Sequence, residues 1–297
     1  MAERPVTGAR PSALGSRQTV GHLVAAMAAR LNHLDDPHRE ARELLAALLD
    51  VPRHWPLVRE NKWVELETWD RACAAADKRG SGAPMAYAAG RANFRHLTLD
   101  VDERVLVPRP ETELLVDLVL KRCGHGGVAA DIGTGSGAIA LSLASEGKFD
   151  RVIATDISLD ALTVARGNAT RIECTGVEFV HCDLLPRAQS PKLRAVVSNP
   201  PYISFSEIPL LPPSVRDWEP SIALFSAREG LETTARLVRQ AAVSLEPGGL
   251  LALEVDARRA ALVAELVASN RRYEDVNVHL DLAGRERFVL ARRRSSE

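Results

Sequence analysis

Val128-Ala129-Ala130-Asp131-Ile132-Gly133-Thr134-Gly135-Ser136-Gly137 decides the architecture of this chain. The first five residues, apolar except for Asp131, read as a strand. Glycines on alternate positions then turn the chain, and an apolar stretch after Gly137 reads as a helix. Glycine at a strand-to-helix turn permits tight backbone geometry and lets a ligand approach the helix N-terminus closely. Downstream the pattern repeats. Strands are predicted near 128–132, 151–156, 177–181, 193–198, 250–255, 275–280 and 286–291, and helices near 137–146, 158–171, 231–246 and 256–269. Such alternation implies βαβ units, hence an α/β domain with a mostly parallel sheet.

Upstream the pattern is different. Residues 1–18, rich in Arg, Pro, Ser and Gly, read as a disordered tail, without the apolar core of a signal peptide. Residues 19–80 read as helical. Thr19 caps a segment with Val20, Leu23, Val24, Met27 and Leu31 at helical spacing. Asp36 or Asp35 begins a second, with Ala41, Leu44, Leu45 and Leu48 on one face, and a third spans roughly 64–79. This small domain is expected either to pack structurally or to dock a macromolecular partner. Gly80-Ser81-Gly82 is a linker signal. Met85–Ala89 and Phe94–Leu106 then alternate as the strands of a hairpin would, making 81–107 a linker with a β-hairpin ahead of a domain at 108–297. Pro108-Arg109-Pro110-Glu111-Thr112-Glu113 stops that strand and opens a helix whose acidic first turn suits the helix dipole. Residues 203–229 form a long, Pro-rich connection, the kind that often serves as a lid.

Composition sets the outer bounds. The 297 residues are 46% hydrophobic with a net charge of −1, enough for one large domain plus a small one and without a dominant nucleic-acid footprint. Cys73, Cys123, Cys174 and Cys182 form no C-x-x-C pair, so free thiols in a reducing compartment are expected, with no metal site. No apolar stretch reaches membrane-spanning length.

The glycine turn and Asp156, at the end of the next predicted strand, suit a nucleoside whose ribose hydroxyls a carboxylate accepts. Gly133-x-Gly135-x-x-Ala138 also fits the degenerate dinucleotide fingerprint, so a dehydrogenase has to be considered. Two residues favour S-adenosylmethionine. Asp131, just before the first glycine, is positioned to receive the ammonium of a methionine moiety. Asp183, after the third strand, is positioned to accept the adenine amino group, with Leu184 against the base. His181, inside a predicted strand, is expected to be packed rather than catalytic.

Asn199-Pro200-Pro201-Tyr202 follows the buried strand Leu193–Ser198. Each proline fixes its own φ, removes a donor and extends the residue before it. A stiff turn with adjacent acceptors remains: the Asn199 side-chain oxygen and the Pro200 carbonyl. Two such acceptors hold both N–H bonds of one –NH2 group, with the Tyr202 ring beside it. The pattern implies methyl transfer to a planar, amide-like nitrogen.

Together, Val107–Glu113, the Asp131–Gly137 turn, Asp156-Ile157-Ser158, Ser198–Tyr202, Glu219-Pro220, Gly230-Leu231, Pro247-Gly248-Gly249 and Asp281–Arg285 resemble the release-factor glutamine methyltransferase (HemK/PrmC) family over about residues 84–292. The resemblance implies a seven-stranded, mostly parallel class I methyltransferase sheet, with a small helical N-terminal domain and a β-hairpin linker. It implies S-adenosylmethionine as cofactor, held by Gly133–Gly137, Asp156, Asp183, Leu184 and Asn199. It implies a glutamine in the Gly-Gly-Gln loop of class 1 peptide chain release factors as acceptor, held by Asn199, Pro200, Pro201 and Tyr202, with Asn199, Pro200 and Tyr202 catalytic. A cytoplasmic enzyme of translation termination follows, without membrane or direct nucleic-acid partner. Glu254-Val255-Asp256-Ala257-Arg258-Arg259 departs from the family's usual Glu-Ile-Gly followed by a Gln, which weakens any role for that segment. The rival readings are a ribosomal-protein glutamine methyltransferase, and a nucleic-acid enzyme acting on an exocyclic amine of a flipped adenine or guanine.

Overall fold

A computed structural model describes residues 18–186 and 192–295. The expected tail, apart from Gln18, lies outside the described residues. The chain divides into two compact units between Gly80 and Ser81.

The first unit is helical: α1 (Val20–Arg30), α2 (Pro37–Leu49), the single turn α3 (Trp55–Val58) and α4 (Leu66–Gly80). Thr19 caps α1, its hydroxyl accepting from His22 N at 3.4 Å while His22 Nδ1 accepts from Thr19 N at 3.4 Å. Asp36 caps α2 by accepting from Arg39 N at 3.0 Å, with Pro37 at the first helical position. Leu23, Met27 and Leu31 of the first helical stretch, with Leu44, Leu45, Ala72 and Ala76 of α2 and α4, are all fully buried and form this unit's core.

The second unit opens with a departure from the sequence expectation. Met85–Ala89 is a short helix, α5, not a strand. Three alanines in five residues favour helix, Pro84 starts it, and Gly90 ends it in the left-handed region at φ 72°. The hairpin is correspondingly shifted and shorter than the expected pairing of 85–89 with 94–106. It pairs β1 (Arg91–Phe94) with β2 (Leu97–Asp100) through a turn in which Arg95 takes φ 53°. Arg95 also ties the turn down. Its N–H donates to Glu113 Oε1 at 3.0 Å, and its guanidinium grips Glu146 with two bonds of 2.8 and 2.7 Å.

The helix α6 (Pro110–Arg122) precedes a seven-stranded sheet of β3 (Val128–Ile132), β4 (Arg151–Asp156), β5 (Val177–His181), β6 (Leu193–Ser198), β7 (Leu245–Glu254), β8 (Tyr273–Leu280) and β9 (Glu286–Arg293). Between strands run α7 (Ala138–Glu146), α8 (Leu159–Arg171), α9 (Pro213–Arg216), α10 (Ser221–Leu224), α11 (Ala227–Gly230), α12 (Glu232–Ser244) and α13 (Ala260–Ser269). Strand order is β5-β4-β3-β6-β7-β9-β8, and only β9 runs against its neighbours. Alternate strand residues serve two cores. Ala129, Ala195, Val197 and Ala252 face α6, α7 and the hairpin; Ala130, Ile132, Val196 and Leu251 face α12 and α13. β5 is an edge strand, so His181 is exposed rather than packed, with its ring Nε2 3.0 Å from Ile157 O. The last helix starts later than the predicted 256 because Asp256 Oδ1 accepts from Arg258 N at 2.8 Å, holding a turn ahead of it.

The chain leaves the centre of the sheet outward through β4 and β5, then returns to β6 on the other side of β3. Loops after β3 and β6 therefore diverge and open a crevice at the carboxyl ends of the strands. Among the described residues no helix is long and apolar enough to cross a membrane.

Candidate active site

That crevice is a cleft of about 970 Å³ including its open mouth, lined by Gly133, Gly135, Asp156, Asp183, Leu184, Asn199 and Pro201 among others. The glycine turn makes its floor. Gly133, Gly135 and Gly137 take φ of 72°, 55° and 88°, which explains glycine at each. A Cβ at Gly133 or Gly135 would meet nothing within 4 Å, so the space above them is free for a ligand. Gly133 N and Thr134 N both donate to Thr155 O at 2.9 Å, pinning the turn to β4.

Two carboxylates hold the turn from opposite sides. Asp156 accepts from Gly135 N at 2.9 Å through Oδ2 and from Ser158 N at 2.9 Å through Oδ1. It lines the cleft, and each oxygen retains a lone pair for a further donor. Burial raises its pKa, against the pull of the backbone N–H donors. Asp131 lies beneath the turn, fully buried, and does not line the cleft. Its Oδ2 accepts from Thr134 Oγ1 at 2.7 Å and Ala140 N at 3.0 Å, while Oδ1 has no partner. Burial pushes its pKa up to about 7. Thr134 and Ser136 are likewise buried, and Gly137 begins α7 with Leu141 where a Cβ would go, at 3.0 Å.

Asp183 and Leu184 form the far wall. Asp183 is exposed and ion-paired with Arg236 of α12. Leu184 takes φ 67°, rare for a residue with a side chain, and its carbonyl accepts from Thr155 Oγ1 at 2.7 Å. That contact turns the loop after β5 back over the end of β4.

Asn199 stands where this cleft meets a smaller pocket of about 380 Å³ lined by Pro200, Tyr202, Leu106, Arg109 and Leu224. Asn199 Nδ2 donates to Thr112 Oγ1 at 3.2 Å, and Thr112 Oγ1 donates to Glu254 Oε2 at 2.6 Å. Thr112 and Glu254 are buried, and burial pushes the Glu254 carboxyl up to about 7. Burial likewise raises the Tyr202 phenol to about 12, so it stays protonated.

The long connection is folded. Ile203 N donates to Leu224 O at 3.0 Å and Ser226 N to Ile203 O at 2.9 Å, so the segment doubles back on itself. Phe205 and Phe225 stack with ring centroids 5.6 Å apart. Gly230, at φ 86°, lies so close to Tyr202 that a Cβ would sit 2.0 Å from its carbonyl oxygen. Arg109 donates to both oxygens of the buried Glu219 at 2.7 Å, fastening the start of α6 to this connection. Glu111 pairs with Arg285 at 3.2 Å. The segment that departs from the family pattern is built in as well. Arg259 donates to Glu229 O at 2.6 Å and to Glu207 Oε1 at 2.9 Å, clasping the connection from beneath. Glu254 and Arg259 of that segment thus have structural partners, whatever the segment's departure from the family pattern. Thr112, Glu219 and Gly230 stand in the sequence motifs quoted above but were given no role there, and Arg236 went unnoticed. For Glu254 a signal was present: a lone acid ending an apolar strand, as Asp156 ends β4.

A seven-stranded sheet with one reversed strand, a glycine turn after β3 and Asn-Pro-Pro-Tyr after β6 define a methyltransferase. Residues 110–208 match the family model "Methyltransferase small domain" and residues 22–90 match "PrmC N-terminal domain". Among solved structures, the hMettl16 catalytic domain in complex with the MAT2A 3'UTR hairpin 1 has a TM-score of 0.59 at 18% identity, covering 77% of this chain and 82% of that one. A methyltransferase from Pyrococcus furiosus has a TM-score of 0.51 at 21% identity, covering 67% and 90%. These likenesses establish the fold. Similarity in sequence is more specific. Release factor glutamine methyltransferase of Moorella thermoacetica is 40% identical over 281 residues, spanning 94% of this chain and 98% of the relative. That of Deinococcus radiodurans is 38% identical, spanning 91% and 97%. The chain belongs to the release factor glutamine methyltransferase family.

Proposed function

We propose that this enzyme methylates the side-chain amide nitrogen of the glutamine in the Gly-Gly-Gln loop of class 1 peptide chain release factors, using S-adenosylmethionine. The observation that carries the reading is the position of Asn199. It lines both the glycine-floored cleft and the small pocket, with its Nδ2 donating one hydrogen to Thr112. The residues of the cleft fit the cofactor. Asp156 has lone pairs for ribose hydroxyls, and the backbone above Gly133 and Gly135 is open; Asp131, beneath the turn and outside the cleft lining, keeps one oxygen without a partner and is the proposed ammonium contact. Asp183 and Leu184 are the proposed adenine contacts. When bound, S-adenosylmethionine supplies an electrophilic methyl on a good leaving group.

The chain's own residues then supply alignment and charge stabilisation, because an amide nitrogen is a poor nucleophile. Asn199 Oδ1 and the Pro200 carbonyl accept the two N–H bonds of the glutamine amide. As the nitrogen takes the methyl it gains positive charge and its N–H donors strengthen, so both acceptors bind the transition state better than the ground state. The surplus proton leaves to water afterwards, and no general base is assigned. Pro201 keeps the turn stiff, and Tyr202 flanks the amide plane.

Residues 19–80 are proposed to dock the release factor, residues 81–107 to form the linker and hairpin, and the reaction to take place in the cytoplasm. The direct test offers labelled cofactor to a release factor, to ribosomal proteins and to DNA. Label on the release-factor glutamine, lost when that glutamine is replaced, is the expected result. Label on a ribosomal protein or on DNA instead would overturn the reading.

A further inference from the structure

Asn199 acts as an acceptor only if its oxygen, not its nitrogen, faces the pocket. An amide side chain has no intrinsic preference between the two, and its orientation is set by what it meets on its inner side. Here it meets Thr112 Oγ1, and Thr112 meets Glu254. A hydroxyl carries one hydrogen. While that hydrogen is committed to the Glu254 carboxylate at 2.6 Å, Thr112 Oγ1 can only accept from Asn199, so the NH2 points inward and Oδ1 points out. Protonating Glu254 reverses the chain. The carboxyl O–H donates to Thr112, the threonine hydrogen turns to Asn199, and the amide turns over to accept it. The NH2 group would then face the –NH2 of the substrate, donor against donor.

We propose that Glu254 and Thr112 are positioning residues of the methyl transfer, and that the ionised Glu254 carboxylate sets Asn199 Oδ1 toward the reacting nitrogen. This rests on the amide-methyltransferase reading above. The surroundings place the switch near neutrality. Burial drives the Glu254 pKa up, and Thr112, Arg287 of β9 and Arg109 before α6 draw it back, while Glu111 in the first turn of α6 raises it, for a net value of about 7. Tyr202, beyond β6, feels the same carboxylate and stays protonated. Asp256, two residues past the end of β7, is already held low by Arg258 against its own burial. Asp131 also titrates near 7 but lies beneath the glycine turn, away from this chain of bonds.

The test is single-turnover methyl transfer at saturating cofactor, followed from about pH 6 to about pH 8. Wild type is expected to lose rate as pH falls through an apparent pKa near 7, with KM for the release factor moving little. Thr112→Ser keeps the hydroxyl and should keep both rate and acid limb. Thr112→Val cuts the relay and should lower kcat roughly 10- to 100-fold, flatten the profile and leave cofactor Kd unchanged. Glu254→Gln should also flatten it. A wild-type acid limb that persists in Glu254→Gln, or wild-type kcat in a folded Thr112→Val, overturns the proposal. If Thr112→Val does not fold, wild type and Thr112→Ser decide between them, since a flat wild-type profile alone overturns it. Wild type that methylates no glutamine at any pH sinks the functional reading instead. Active wild type with indifferent variants sinks only this inference.

Discussion

The two halves of the site are built on opposite plans. The cofactor half, from Asp131 to Asp156, occupies two neighbouring strands and the turn between β3 and α7. Most of its hydrogen bonds are made by backbone N–H groups that side-chain carboxylates or Thr155 O accept. The acceptor half draws on the start of α6, the end of β6, the connection 203–230 and the end of β7, joined by side-chain bonds such as Arg109–Glu219 and Asn199–Thr112–Glu254. The first plan is held together mainly by backbone geometry. The second depends on each partner, because a missing side chain strands another in the interior.

The contrast is tested most severely at Arg109. Arg109→Ala leaves the Glu219 carboxylate, 4% exposed, without its cation. A buried charge stripped of its partner costs about 3–5 kcal/mol. The expected outcome is a large fall in the denaturation midpoint, with the connection 203–230 losing hydrogen-exchange protection first. A stability change under about 1 kcal/mol, as for an exposed pair, would mean that the acceptor half is not held together in this way.

Asn199→Ala comes next. Ground-state binding of the release factor should weaken by only about 0.5–1.5 kcal/mol, the net worth of a neutral hydrogen bond. The transition state should lose roughly 2.7–4 kcal/mol, by analogy with single oxyanion-hole donors, which is about 10²–10³ in kcat. Single-turnover rates with saturating cofactor measure it. Near-wild-type transfer would remove the two-acceptor mechanism.

On the cofactor side the expected effect is smaller. Asp156→Ala should weaken cofactor binding by about 1.5–3 kcal/mol through loss of charge-assisted hydrogen bonds, read by calorimetry, while kcat at saturation changes little. An unchanged Kd would take Asp156 out of the ribose role. Comparable NADH binding would revive the dehydrogenase.

The same contrast explains what the sequence made legible. The βαβ alternation, the glycine turn and Asp156 are local, each readable within a window of a few residues around one strand end. Asn199–Tyr202 is local too. Thr112 and Glu254 meet only because the topology sets β7 beside β6 and brings the start of α6 over both, a pairing no window contains. The roles of Glu219 and Gly230 were hidden for the same reason: the partner of each, Arg109 or the Tyr202 backbone, lies far away in sequence. The strand expected at Met85–Ala89 failed differently. Its alternation was real, but three alanines and a proline start favoured helix, and local propensity prevailed over pattern.

Asp131 offers the finest test, because the cofactor half carries one charge of its own in the interior. Its folded pKa, raised to about 7 chiefly by burial, lies above the 3.8 of an ordinary aspartate. A group raised in this way stabilises the fold fully only below its unfolded pKa, and that stability is lost as pH rises through the folded one. The apo-enzyme should therefore lose stability between about pH 4 and about pH 7, opposite to the usual acid behaviour of paired carboxylates. Glu254, also raised to about 7, adds a slope of the same sign, so the variant difference is what counts. Asp131→Asn retains acceptors for Thr134 and Ala140 without the charge. It should be more stable than wild type at pH 8, by about 1–3 kcal/mol, with the gap closing toward pH 5. Cofactor affinity should move the other way. An ammonium group at the orphaned Oδ1 favours the ionised acid, so wild-type affinity should rise from about pH 6 to about pH 8 while the variant binds more weakly and without that slope. Parallel melting curves for the two proteins across this range would show that Asp131 does not titrate there. Equal, pH-independent affinities would show that its oxygen never meets the cofactor.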